Sequence, residues 1–246
     1  MSSNQNSACN VHRDWIQHLQ PVGLVVAPHT LVDLDFVLDR NIGEVRELLR
    51  ELLVVESVSL ANEGRNVVRL PKKHHERFFM GLLGWSHQDL AFLSGAQLAQ
   101  QSQLSYVVPG YARPLRASYA LYQRPVVSVD LDDDFSVSGP GVSSEPSYGE
   151  LTPRLLAHFV GYSFDDQMGG KEEWDETHHN RFERLLRETG VPLGILLNEE
   201  CLRVVYAPVG ESSGYITFMF EHLGAPSGRH LLSALVMLLQ PSILLL

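Results

Sequence analysis

The chain has 246 residues, 44% of them hydrophobic and 20% charged, which is enough apolar material for a sizeable core and excludes a disordered polymer. A formal net charge of -10, with Lys72, Lys73 and Lys171 as the only lysines, excludes a surface given over wholly to nucleic-acid phosphate. Cys9 and Cys201 are the only cysteines, too few for a disulfide framework, and they suit a reducing, cytoplasmic setting.

The first ten residues are rich in Ser and Asn and lack the apolar stretch of a secretion signal. Val11, Trp15 and Leu19 recur at four-residue spacing and predict a short amphipathic helix, ended by Pro21 and Gly23. Thr30 is placed to cap a second helix running to Leu38. Residues 42–53 carry a cleaner stripe of Val45, Leu48, Leu49 and Leu52, with acids and arginines around the rest. Residues 62–66 read as a polar break. Residues 74–83 return to helical spacing through Phe78, Phe79, Leu82 and Leu83, with Gly84 as a stop and Trp85 free to pack on the helix end.

From Leu104 the period shortens toward two. Residues 115–122 and 126–131 predict strands. Residues 136–148 are rich in Ser, Gly and Pro and read as a loop. Residues 155–162 form an apolar run fit for a buried strand, and residues 165–176 an acidic connector. A helix follows. Asp175 or Thr177 can cap it, Phe182, Leu185 and Leu186 supply its apolar side, Gly190 stops it and Pro192 forbids continuation. Residues 193–197 and 202–206 then predict two strands joined through Asn198, Glu199 and Glu200, and residues 215–220 a third. Residues 229–239 close the series with a helix. No run reaches eighteen apolar residues, so no membrane span is expected, and the Leu-rich end suggests a piece of something longer. The order predicts an α+β protein: a mainly helical N-terminal subdomain, 1–103, followed by a mixed sheet flanked by helices, 104–246.

Several side chains could carry chemistry. Arg181, Arg184 and Arg187 repeat every third residue along the helix, and Arg203 lies on the following hairpin; together they could meet DNA phosphate, or pair with Glu183, Glu188 and Glu211. Asp130 and Asp132 would share a strand face and, with Asp165, could hold Mg, although the Gly-centred loop of a calcium site is lacking. The pairs His74-His75 and His178-His179 are adjacent in sequence, so the side chains of each pair diverge on a helix. Cys201 has no Cys-x-x-Cys partner and reads as structural.

The stretch 175–218 resembles the N-terminal, nuclease-like region of large type IIG-like restriction-modification proteins, which join such a region to an adenine-specific DNA methyltransferase. The resemblance rests on Arg181 to Pro192 (Arg-Phe-Glu-Arg-Leu-Leu-Arg-Glu-Thr-Gly-Val-Pro), the strand to Asn198, and Leu202 to Gly214 (Leu-Arg-Val-Val-Tyr-Ala-Pro-Val-Gly-Glu-Ser-Ser-Gly). Looser likeness extends to the Trp15 helix and to Phe78-Phe79 with Leu83-Gly84-Trp85. It implies a restriction-endonuclease-like mixed sheet, DNA as a partner and phage defence as a setting. It also implies a downstream methyltransferase domain using S-adenosylmethionine, since neither the Asn-Pro-Pro-Tyr tetrapeptide nor a Gly-rich cofactor turn occurs in this chain. A nuclease of that kind needs an acid and a Glu-x-Lys or Asp-x-Lys tripeptide on adjacent strands to hold Mg and orient water. The strand expected to bear the tripeptide offers His158 instead, and Lys171 follows Gly169-Gly170. The reading that results is a degenerate nuclease-like module for scaffolding or DNA positioning. The alternatives are a stand-alone acidic protein-interaction module and an active metal-dependent endonuclease using Asp130, Asp132 and Asp165.

Overall fold

The computed structural model describes residues 3–23, 25–60, 63–124, 151–170 and 173–245. The expected strand at 126–131 and loop at 136–148 lie outside the described residues, as do Asp130, Asp132 and Lys171.

The chain opens with three helices, α1 (Ser3–Leu19), α2 (Pro28–Asp33) and α3 (Gly43–Leu52). α2 is shorter than the Thr30 pattern suggests, because Asp35 takes a left-handed φ of 55° and turns the chain. Of the supposed polar break at 62–66, residues 63–66 belong to β2 (Glu63–Arg69), which pairs antiparallel with β1 (Val54–Leu60) in register Val54 to Arg69. The helical pattern at 74–83 is realised in pieces: a 3-10 turn, α4 (His75–Arg77) and a π-helical turn over Phe78–Leu82. Phe78, Phe79, Leu82 and Leu83 are all buried there, consistent with a wider turn that carries more side chains onto one face.

The centre is a six-stranded mixed sheet with α+β architecture. Its members in chain order are β3 (Leu90–Ser94), β6 (Tyr119–Gln123), β7 (Thr152–Phe159), β10 (Leu193–Leu197), β11 (Cys201–Tyr206) and β12 (Gly214–Met219), and they lie side by side in that same order. Small elements sit between them: α5 (Gly95–Ala99), the pair β4 (Ser105–Tyr106) and β5 (Leu115–Arg116), and the hairpin β8 (Gln167–Gly170) with β9 (Glu173–Thr177). That last hairpin occupies most of the expected acidic connector. All neighbours in the large sheet are antiparallel except β7 and β10. Parallel strands require a crossover, and α6 (His178–Thr189) supplies it. α7 (Phe220–Gly224), α8 (Arg229–Leu239) and α9 (Pro241–Leu244) complete the chain.

Strand alternation divides the core in two. Leu155, Ala157, Ile195, Leu197, Leu202, Val204, Ile216 and Phe218 point to the α8 side, against Trp15, Leu49, Leu52, Phe78, Phe79, Trp85, Phe220 and Leu232. Leu156, Leu196, Cys201 and Val205 point to the α6 side, against Phe182, Leu185, Leu186 and Phe164. Each large side chain so enclosed is worth roughly 1.5–3 kcal/mol. The first cluster draws on residues before and after position 103, and β3 is an outer strand of the main sheet. Trp85 stacks on Phe79 at 4.8 Å and donates its indole N–H to the Leu239 carbonyl at 2.8 Å, joining the same two stretches. At the opposite edge, Val22 exchanges two backbone hydrogen bonds with Tyr215 of β12. Among the described residues no helix is long and apolar enough to cross a membrane.

Candidate functional site

The most explicit local instructions in the sequence build α6. Thr177 is its N-cap, accepting the Asn180 N–H at 3.1 Å on its hydroxyl. Glu176 also turns back, its carboxylate accepting from the Asn180 side chain at 2.8 Å. Gly190 closes the helix at φ 69°, a left-handed conformation that glycine adopts without strain. α6 lies directly on β10 because position 194 has no side chain: a Cβ there would sit 2.6 Å from the Phe182 ring. The turn after β10 is organised by Asn198, whose side-chain oxygen accepts from the N–H groups of Glu200 and Cys201 at 2.9 and 2.8 Å. This is the longer turn through Glu200 that the residue types suggest.

The arginine row is engaged within the chain. Arg181 donates to Glu173 at 3.1 Å. Arg184 pairs with Glu188 at 2.8 Å and lies over the Tyr106 ring, 5.5 Å from its centre. Arg187 pairs with Glu183 at 2.9 Å and donates to the Glu211 carbonyl at 3.4 Å. Of the acidic partners expected from sequence, Glu183 and Glu188 engage by their carboxylates and Glu211 by its backbone oxygen. Arg203 is buried. It forks onto Asp165 at 3.0 and 3.2 Å, donates to Thr217 at 3.0 Å, and lies between the rings of Phe164 and Tyr215 at 4.9 and 4.3 Å. That is the bidentate, stacked arrangement for which Arg is chemically suited. The Arg203 guanidinium holds the Asp165 carboxyl below its ordinary range. Asp165 thus serves as the counter-ion of Arg203.

Whether these residues fit the Mg ion of a nuclease can be judged from the donor set. β3, β6, β7 and β10 contain no Asp, Glu or Lys. Asp165 is committed to a guanidinium, and among the described residues no group of three His, Cys, Asp or Glu side chains could hold a metal. The described residues do not fit a hard divalent cation, which needs several carboxylate or carbonyl oxygens. Cys201 is buried, and burial pushes its thiol up to about 11, away from the thiolate needed for nucleophilic work.

Two cavities remain. The larger, about 850 Å³, lies between α1, residues 35–40 and the start of α8. Much of its polar lining is already spent. Ser233 donates to the Asp39 carbonyl at 2.9 Å, Arg229 to the Arg40 carbonyl, and His12 uses both ring nitrogens, on Trp15 and the Phe36 carbonyl. The smaller, about 280 Å³, lies on the α6 side of the sheet, walled by Arg116, His158, Glu173, His178, Arg181, Phe182 and their apolar neighbours. Here polar groups are left over.

His158 projects from the central strand β7 and lies parallel to the Phe182 ring, 6.2 Å away. Its Nδ1 is 3.2 Å from the Ser118 hydroxyl, which itself accepts the Phe159 N–H at 3.0 Å. The Ser118 hydroxyl thus bridges the His158 ring and the β7 backbone. Burial, then His178 and Arg181, push the His158 pKa down to about 4, so the ring is neutral. His178, in the first turn of α6, is likewise held below its ordinary value by burial and Arg181, and its buried Nε2 has no hydrogen-bond partner. Leaving such a nitrogen dry costs about 1–3 kcal/mol. Glu173 is ionised, both oxygens bound, one to Arg113 at 2.6 Å and one to Arg181 at 3.1 Å.

Of the sequence candidates, then, Arg181 reaches this cavity, Arg184 and Arg187 lie further along α6, and the buried Arg203 forms a separate pair with the exposed Asp165. Arg116, Ser118, Glu173 and Arg113 carry no local sequence signal. His178 stood out only as half of a pair, and His158 only as the residue on the strand where a carboxylate was sought. Comparison with family models, curated proteins and solved structures finds no match to this chain.

Proposed function

We propose that this chain is a non-cleaving, nuclease-like module that scaffolds an adenine-specific DNA methyltransferase in a restriction-modification or phage-defence protein. The observation that carries this reading is the unit β7–α6–β10–β11. Its capped helix between two parallel strands, its Asn198-built turn, and His158 on the strand where the resemblance leads one to expect a metal-binding acid support the reading. Water activation by a metal requires those acids. The test is incubation of the purified chain with plasmid DNA and Mg or Mn, followed by co-purification with the methyltransferase encoded by the next stretch of the same reading frame. Intact DNA and a stable complex are expected. Cleavage abolished by Asp132→Ala would replace the reading with an active endonuclease, and a downstream frame without methyltransferase motifs would remove its support.

The paired arginines favour contact with protein over direct contact with DNA. Arg181 and Arg203 have little exposed surface and each has an acidic partner within 3.2 Å, so using them on phosphate means breaking pairs already made, whereas the surface pairs of Arg184 and Arg187 cost little to open. A gel shift at low salt distinguishes the two modes. Salt-sensitive binding lost on Arg184→Glu and Arg187→Glu supports DNA positioning, and no shift supports a purely protein-scaffolding role.

A further inference from the structure

We propose that the cavity between β5, β7, β9 and α6 binds a phosphate group, free or carried by a nucleoside monophosphate, through His158, His178, Arg181 and Arg116. The assignment concerns this cavity alone and stands independently of the scaffolding role above.

The argument is one of unspent donors. Of the five polar residues on the wall, four offer N–H groups. The fifth, Glu173, has each oxygen occupied by an arginine, Arg113 or Arg181. Arg113, Arg116 and Arg181 against Glu173 leave the wall positive. The Ser118 hydroxyl engages His158 at Nδ1, and the ring lines the cavity. His178 adds a buried nitrogen with nothing to bond. A ligand that only accepts satisfies all four together, whereas a cation would meet repulsion and an apolar ligand would leave the imidazoles dry. Imidazole N–H groups beside guanidinium forks suit a tetrahedral oxyanion, whose several oxygens can be shared among converging donors. The first turn of α6 adds a favourable dipole at the same place. Pro114, Leu115, Phe182 and Leu185 supply an apolar wall beside the polar one, and a volume near 280 Å³ leaves room for more than a bare ion.

The test is calorimetric titration of the full chain with inorganic phosphate and, separately, with deoxyadenosine monophosphate, at constant ionic strength with chloride as control. The histidine ring resonances are followed by NMR in parallel. Both ligands are expected to bind and to shift the His158 and His178 signals. A nucleotide that binds more tightly than phosphate points to a nucleic-acid source, and equal affinities to free phosphate. Arg116→Ala changes an exposed residue on a short strand, and Arg181→Gln leaves Glu173 its Arg113 partner; each should weaken binding about 10–100-fold, as loss of one charge-assisted contact does. No binding by the wild-type chain, or unaltered affinity in both variants while they melt like wild type, overturns the assignment.

Discussion

On the α8 side of the sheet, Trp85, Phe79, Phe78, Phe220 and Trp15 fill the space with no charged side chain among them. On the α6 side lie the buried Arg203, paired with Asp165 at the surface, and the neutral, half-buried His158. The same strands build both faces, because consecutive residues point opposite ways. The contrast separates the sources of stability from the sources of binding chemistry. Both faces rely on area removed from water and both desolvate a histidine, His75 on the first and His158 on the second, but only the α6 side also buries a charged guanidinium, that of Arg203.

Substitutions can break this contrast. The largest effect is expected on the apolar face: Trp85→Ala removes the stack on Phe79 and the hydrogen bond to Leu239, and should cost about 3–5 kcal/mol in urea unfolding. A loss under ~1 kcal/mol would mean that this face is not the main store of stability. On the other face, Gly194→Val drives a side chain into Phe182 and Leu186 and should cost about 1–3 kcal/mol, lifting α6 from β10. An unchanged thermal midpoint would contradict the close seating of that helix.

Acid tests both faces together. His75, buried against Phe159 on the α8 side, and His158 on the α6 side are both pushed from the ordinary 6.5 down to about 4, mainly by burial. Between those values the unfolded chain takes up protons that the folded chain refuses. Stability is therefore complete above about pH 6.5, falls as pH drops toward about 4, and receives no further contribution from these rings below that. The slope should amount to about 1–3 kcal/mol per histidine across the window, and His75→Phe should flatten it in urea midpoints taken at each pH. Asp165, held low by Arg203, acts at still more acid values, where its contribution is lost as the carboxyl protonates. Thr177→Ala should cost about 1 kcal/mol by removing the α6 cap, seen as a lower melting temperature. Arg184→Ala, at an exposed pair, should cost at most about 0.5 kcal/mol.

The pieces that could be read in advance are those whose causes lie close together in the chain. α6 announces itself through Thr177, the Phe182-Leu185-Leu186 side, Gly190 and Pro192, and the two strands after it are short, nearly continuous apolar runs. The β8–β9 hairpin was hidden because its residues look acidic and Gly-rich, and its support comes from afar: Glu173 is held by Arg113, 60 positions earlier. Arg203 and Asp165 stand 38 residues apart, so no local pattern could pair them. For the same reason the cavity was invisible: Arg116, His158 and His178 meet only once β5, β7 and α6 are assembled. The helix expected across 74–83 came out in three turn types because burying Phe78, Phe79, Leu82 and Leu83 outweighed regular geometry.

The two backbone hydrogen bonds between Val22 and Tyr215 have a practical bearing on handling the protein. A protease nick ahead of residue 24 would release that short strap and bare one margin of the sheet, offering unsatisfied amides to the next molecule. Preparations trimmed in this way lose α1 and its buried Trp15 as well and should polymerise by strand addition, so the state of the leading segment is worth checking in any aggregate.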